Sequence, residues 1–209
     1  VLMLLARIFF GDIEYNVIFN SLDLEKFAPK MSKNNEILTF IHVGRYTYQK
    51  NQEFIIKIFY NIKKKIEKSR LMLVGFGEDK EKLIKLVNEL NLSESVFFIP
   101  GDKGDISKIY DEADYMIFPS IYEGFGIVLL EAQSKRIPCF VSEAIQKEVD
   151  VGLLNYINLS ESEEEWAKKI LLYINKKCKI NDNTISENLK KFSISTICEQ
   201  YANIYGGNI

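Results

Sequence analysis

Histidine is almost absent from this chain: His42 is the one copy among 209 residues. Any mechanism that needs several histidines is therefore excluded within it. Cysteine is scarce as well. Cys139, Cys178 and Cys198 are odd in number and widely spaced. They make neither a zinc-like pair nor a disulfide framework, so the reading is reduced thiols in a cytoplasmic setting. Charge imbalance is missing too. With 27 Lys and Arg against 29 Asp and Glu, the formal net charge is −2, which gives no general pull towards nucleic acid or an anionic membrane. The apolar start, Val1 to Phe10, falls well short of the roughly 20 residues that span a bilayer. It also lacks the basic leader and small-residue cleavage site of a signal peptide. It reads as a helix end from a neighbouring domain, and a first residue other than methionine reads as a truncation or an unusual start.

What is present is a globular composition, 47% apolar and 12% aromatic, with a moderate charged fraction that speaks against disorder. The length suits one full α/β domain and is too short for two large ones. From Ile37 onward, short apolar runs alternate with longer amphipathic ones. Residues 37–44, 70–75, 96–100, 115–120, 138–142 and 156–159 read as strands, apolar at nearly every position as parallel strands covered on both faces are. Residues 52–68, 80–92, 106–113 and 127–135 repeat apolar residues at helical spacing. In the first, Phe54, Ile55, Ile58, Phe59, Ile62 and Ile66 form one stripe, and Lys63, Lys64 and Lys65 read as its solvated edge. Ser160 with Glu163, or Ser162 with Glu165, boxes the start of a helix over 163–174. A last helix of weaker periodicity is expected over 185–205. The alternation predicts an α/β fold: a doubly wound parallel sheet of about six strands with helices on both faces. Ligands of such sheets sit at the carboxyl ends of the strands, so the strand-to-helix loops carry the interest.

The loop after the strand at 115–120 reads Pro119-Ser120-Ile121-Tyr122-Glu123-Gly124-Phe125-Gly126 and runs into Ile127-Val128-Leu129-Leu130-Glu131. Two glycines allow a tight bend and close backbone approach. The helix that follows aims free amides and a positive dipole end at the loop, which suits a diphosphate. Glu123 stands before that helix and Glu131 about one turn inside it. A sugar, diphosphate and ribose in a row would meet Glu123, the amides and Glu131 in that order; the bland alternative is a solvent-exposed loop with two surface carboxylates. A second loop, Gly44-Arg45-Tyr46-Thr47-Tyr48-Gln49-Lys50, places two cations at the end of another strand. Cations there stabilise a diphosphate leaving group as charge develops on it, doing the work a metal does elsewhere; the alternative is two ordinary surface cations. A third loop, Val74-Gly75-Phe76-Gly77-Glu78-Asp79, is only G-x-G after a strand. It lacks the third glycine of a dinucleotide fingerprint, and it reads better as a turn near a crevice than as a nicotinamide site.

These loops, in this order on this alternation, resemble the C-terminal domain of glycosyltransferase family 4, of the GT-B fold. Arg45-x4-Lys50 matches that family's diphosphate-binding cations, and Glu123-Gly-Phe-Gly-x4-Glu131 matches its E-x7-E motif, followed by Ala132-Gln133 and Pro138. Val17-Ile18-Phe19-Asn20-Ser21-Leu22-Asp23 and Phe27 resemble the interdomain connection. Lys147-Glu148-Val149-Asp150 and Trp166-Ala167 resemble the branch that builds capsular polysaccharides and exopolysaccharides. The resemblance covers roughly residues 10 to 205.

It implies a catalytic group of Glu123, Arg45 and Lys50, with Glu123 beside the transferred sugar. It implies a donor site of Gly44, Arg45, Lys50, Glu123, Gly124, Phe125, Gly126, Ile127 and Glu131, in which Glu131 holds the ribose. The anomeric configuration would be retained, and the two glutamates would clamp the donor rather than act as a glycosidase pair. The substrates implied are a nucleotide sugar, a UDP-sugar ahead of a GDP-sugar, and a glycan or lipid-linked acceptor bound by a missing N-terminal domain. No metal, further cofactor or nucleic acid is implied. The intact protein would be cytoplasmic, with a peripheral place at the inner face of the cell membrane. The corresponding division is 1–20 as linker and domain remnant, 21–180 as the nucleotide-sugar-binding domain, and 181–209 as a final helix packing towards the missing domain. Two departures stand out: Ser21 where the connection usually has glycine, and Arg136 in place of a small residue, at the crevice rim or merely exposed. The family's reactive histidine belongs to the N-terminal domain, so His42 reads as a packed strand residue. A rival function is a non-catalytic nucleotide-binding module from a truncated gene.

Overall fold

The computed structural model describes residues 16–29, 36–101, 104–176 and 180–206. The apolar start at 1–10 and Cys178 lie outside them. Six strands, β1 (Leu38–Val43), β2 (Ser69–Val74), β3 (Val96–Ile99), β4 (Tyr115–Phe118), β5 (Cys139–Ser142) and β6 (Leu154–Ile157), form one sheet in the order β3-β2-β1-β4-β5-β6. Every pairing is parallel. The central runs are apolar at most positions because both of their faces are covered. Alternate residues serve opposite cores: Phe40, Leu71, Leu73, Ile117 and Phe140 face one, and Ile41, Met72, Val74, Met116 and Val141 the other.

Helices α1 (Gln52–Lys63) and α2 (Lys80–Glu89), with α5 (Glu163–Lys176), cover the first face. The expected stripe of α1 is real, since Ile55, Ile58, Phe59 and Ile62 are fully buried. Each such side chain contributes about 1.5–3 kcal/mol through burial. Trp166 of α5, also fully buried, meets Phe54 edge-on at 5.7 Å. Of the two capping pairs open from sequence, Ser162 with Glu165 forms: the Glu165 amide donates to Ser162 Oγ at 3.3 Å. Helices α3 (Ile106–Tyr110), α4 (Ile127–Ser134) and α6 (Asp182–Lys190) cover the second face.

The expected single helix over 185–205 is two, α6 and α7 (Ile194–Tyr205). Phe192 is drawn into the core, and the Leu22 amide donates to its carbonyl at 2.7 Å. Ser193 then restarts the helix, its Oγ accepting from the Thr196 amide at 3.1 Å. Residues Ile185, Leu189 and Phe192 thus belong to the core of the sheet rather than to a terminal appendage. Ser21 is not among the residues with positive φ, so the turn it occupies does not require glycine. Arg136 sits at neither a rim nor an exposed site. It ends α4 with φ 61 and reaches α6, with Nε 2.5 Å from Asp182 Oδ1 and Nη2 2.6 Å from Ser186 Oγ. Cys139 is buried and Cys198 exposed, both unbridged. No helix among the described residues is long and apolar enough to cross a membrane.

Candidate functional site

Strands β1 and β4 are neighbours, but β1 feeds α1 on one face and β4 feeds α4 on the other. The chain parts between their carboxyl ends, and this is where open parallel sheets hold ligands. The loops that follow these two strands carry the cations and the carboxylates singled out above, and they are clasped together. The Ile121 amide donates to the Gln49 carbonyl at 2.9 Å, and Gln49 Nε2 donates to the Tyr122 carbonyl at 2.9 Å. Asn51 Nδ2 reaches the Pro119 carbonyl at 3.3 Å. Across the clasp, Lys50 Nζ forms an ion pair with Glu123 Oε2, the two side chains 16% and 14% exposed. Lys50 also lies over the Phe118 ring, 5.0 Å from its centroid.

The first loop owes its shape to buried neighbours. Tyr46 is fully buried and donates its hydroxyl proton to the Leu73 carbonyl at 2.7 Å. The turn Tyr48–Lys50 ends at Asn51, whose φ of 57 swings the chain into α1, a conformation asparagine tolerates better than most residues. The G-x-G loop braces it from outside: a Cβ at Gly75 would sit 2.0 Å from the Gly44 carbonyl oxygen, and one at Gly77 2.3 Å from that of Tyr46. These two glycines serve backbone packing, which leaves the nicotinamide reading without support. Arg45 is exposed, its guanidinium 5.9 Å from the Phe76 ring centroid, so Lys50 and not Arg45 is the cation seated at Glu123.

The second loop is shaped by its glycines and one ring. Gly126 caps α4 with φ 76, and no side chain caps that helix, so its first amides point towards the crevice. Gly124 has nothing within 4 Å of a would-be Cβ. The Phe125 ring turns away from the crevice to stack on Phe19 at 5.6 Å and meet Phe192 at 6.0 Å, so what it offers a ligand is its amide. One turn into α4, Glu131 Oε2 accepts the Tyr110 hydroxyl proton at 2.9 Å. Burial raises the pKa of this carboxyl above its usual value, while the Tyr110 hydrogen bond and the Lys26 charge oppose that rise. Tyr110 itself is fully buried.

Of the residues singled out by sequence, Lys50 and Glu123 meet across the clasp and Gly126 follows on the same loop, while Glu131 lies a turn into α4 with its carboxylate against Tyr110. Sequence reasoning missed Tyr46, Gln52 and Tyr110, which hold those groups in place. Such residues have no motif of their own; the signal was only a polar atom on an otherwise apolar surface. His42 is packed as expected, with no exposure.

Residues 23–192 match the family model described as glycosyl transferases group 1. The protein EpsF of Bacillus subtilis (strain 168) is 32% identical over 163 residues, 72% of this chain and 42% of that protein. An Escherichia coli UDP-Gal:alpha-D-GlcNAc-diphosphoundecaprenol alpha-1,3-galactosyltransferase is 32% identical over 151 residues, 66% of this chain and 39% of that protein. The chain thus spans less than half the length of either relative. Among solved structures, Anabaena HepE in complex with UDP and glucose superposes with a TM-score of 0.76 at 21% identity, covering 92% of this chain and 57% of that one. This likeness is one of fold.

Proposed function

Because the chain belongs to the group 1 glycosyl transferases, we propose that it supplies the donor-binding half of a retaining glycosyltransferase. The enzyme would move a hexose from a nucleotide sugar to a growing polysaccharide or lipid-linked glycan. A UDP-sugar is preferred to a GDP-sugar, since the E. coli relative is named for UDP-Gal and the HepE complex contains UDP and glucose. The relatives extend well beyond the matched region, and this reading assigns acceptor binding to that remainder. It places the reaction in the cytoplasm, at the inner membrane face where the acceptor is lipid-linked.

The observation that carries the reading is the clasp: Lys50 is paired with Glu123 directly before the uncapped start of α4. In the reaction the anomeric C–O bond breaks and the diphosphate departs with the electron pair. An acceptor hydroxyl oxygen bonds to the same face of the anomeric carbon, and its proton passes to the departing diphosphate. Lys50, Arg45 and the amides of Phe125, Gly126 and Ile127 oppose the charge that develops, so they stabilise the transition state more than the ground state. Fixed cations take the part of a metal, and none is required. Glu123 meets the sugar and Glu131 the ribose, so neither acts as a nucleophile and the arrangement clamps a donor rather than hydrolysing a glycoside.

Calorimetric titration of UDP into the chain and into the Arg45→Ala/Lys50→Ala variant tests this. Loss of affinity in the double variant is expected. Equal affinity would remove the diphosphate assignment. Glu131→Ala should weaken UDP and leave inorganic pyrophosphate unaffected; an equal loss for both would contradict the ribose role.

A further inference from the structure

Beneath the clasp runs a buried chain of hydrogen bonds that the proposed chemistry does not use. His42 is fully buried, with its ring stacked on Phe118 at 5.3 Å and 29°. Its Nδ1 lies 3.1 Å from the Ile117 carbonyl, which can only accept, so Nδ1 carries the proton. Burial, with the Lys50 charge adding to it, lowers the pKa to about 3, so the ring is neutral at physiological pH. Nε2 is then a bare acceptor, and Gln52 Nε2 stands 3.2 Å from it. The second amide proton of Gln52 goes to the Arg45 carbonyl at 2.7 Å. Turning the amide over would set its oxygen against two acceptors, so the neutral ring fixes the direction of the whole chain.

This chain links the end of β4 to the first turn of the cation loop. Gly44 allows it, since a Cβ there would meet His42 Nε2 at 3.3 Å and the Lys50 stem at 3.5 Å. We propose that His42 and Gln52 are positioning residues: through the Arg45 carbonyl they set the loop that presents Lys50 to the donor diphosphate. This rests on the nucleotide reading above. Neither residue touches the ligand. A charged His42 would break the chain twice, by placing a second donor against the Gln52 amide and a second cation beside the Lys50 stem.

The test has two arms. With one histidine in the chain, long-range proton–nitrogen NMR of the imidazole reports His42 without ambiguity. A protonated Nδ1 and a bare Nε2 at neutral pH are expected. The opposite tautomer or a charged ring would overturn the proposal whatever any variant does. In the second arm, UDP and UMP are titrated into wild type, Gln52→Met, His42→Gln and His42→Asn. Glutamine can present an acceptor where Nε2 stood, whereas asparagine reaches only the Nδ1 position. Gln52→Met and His42→Asn should lose about fivefold or more for UDP, the consequence of one hydrogen bond, with a smaller loss for UMP. His42→Gln should stay within about threefold of wild type. Equal losses for UDP and UMP, or no loss in Gln52→Met, would sink the positioning role. A wild-type chain that binds no UDP would instead sink the nucleotide reading, with the NMR result still standing on its own.

Discussion

The loop after β1 and the loop after β4 face one crevice, yet they fix their charges by different means. The first is held by its own side chains and by the start of α1: Tyr46 reaches down to the Leu73 carbonyl, and Gln52 reaches the Arg45 carbonyl. The second is held at its carbonyls, by Asn51 at Pro119, Ser142 at Ser120 and Gln49 at Tyr122. It is bent at Gly126, in the left-handed region, with the Phe125 ring packed on Phe19 and Phe192. Positive charge is thus presented on a loop made rigid by buried polar bonds. The carboxylates flank a helix start that is left open. The difference teaches that a site can be charged at both walls while its floor stays uncharged: His42 is neutral there and Phe118 carries no charge.

Breaking the first wall should have the largest effect. Lys50→Ala removes a mostly buried ammonium and strands the Glu123 carboxylate, so UDP affinity should fall about 10- to 100-fold. Arg45→Ala removes an exposed cation and should cost only about three- to fivefold. Calorimetry on the two single variants decides the order, and equal effects would erase the distinction drawn between the two cations. The second wall should break through stability. Gly126→Ala forces a Cβ into φ 76 against Leu129 and Glu123, at a cost of about 1–2 kcal/mol. Gly124→Ala meets nothing and should stay within about 0.5 kcal/mol. Urea denaturation of both variants checks the pair.

The smallest effect expected is a pH dependence at Glu131. Its folded pKa is raised, chiefly by burial, so between the unfolded and folded values the native state holds the extra proton. The contribution of Glu131 to stability is therefore most favourable in acid and is lost as pH rises through the folded pKa. Glu131→Gln removes that dependence. Urea midpoints measured across the acid range should show the variant gaining on wild type as pH rises; parallel curves would contradict the burial argument.

Much of this was written into local pattern. The central strands are legible because burial on both faces demands largely apolar runs, and α1 because one buried stripe recurs at helical spacing. Edges were harder. The last strand was expected at 156–159 and lies at Leu154–Ile157, where three of its four residues are only partly buried and the apolar signal is weak. Helix α1 was expected to reach Lys68 and stops at Lys63, although Ile66 keeps the apolar rhythm and its amide still donates to the Ile62 carbonyl at 2.9 Å. The break at Phe192 was missed because a buried aromatic residue fits a helical stripe and a core plug equally well.

By itself, the order of residues determined the class of fold, the positions of the two charged loops and the likeness to a sugar-transferring family. These depend on spacing along the chain, which folding does not alter. Only the tertiary structure decided that Lys50 rather than Arg45 meets Glu123, that Phe125 turns away from the crevice, and that His42 and Gln52 underpin the loop. Those outcomes depend on which atoms are left to pair once two strands, 75 residues apart at His42 and Ile117, lie side by side. A buried polar atom must find a partner, and the partner is chosen by the packing around it.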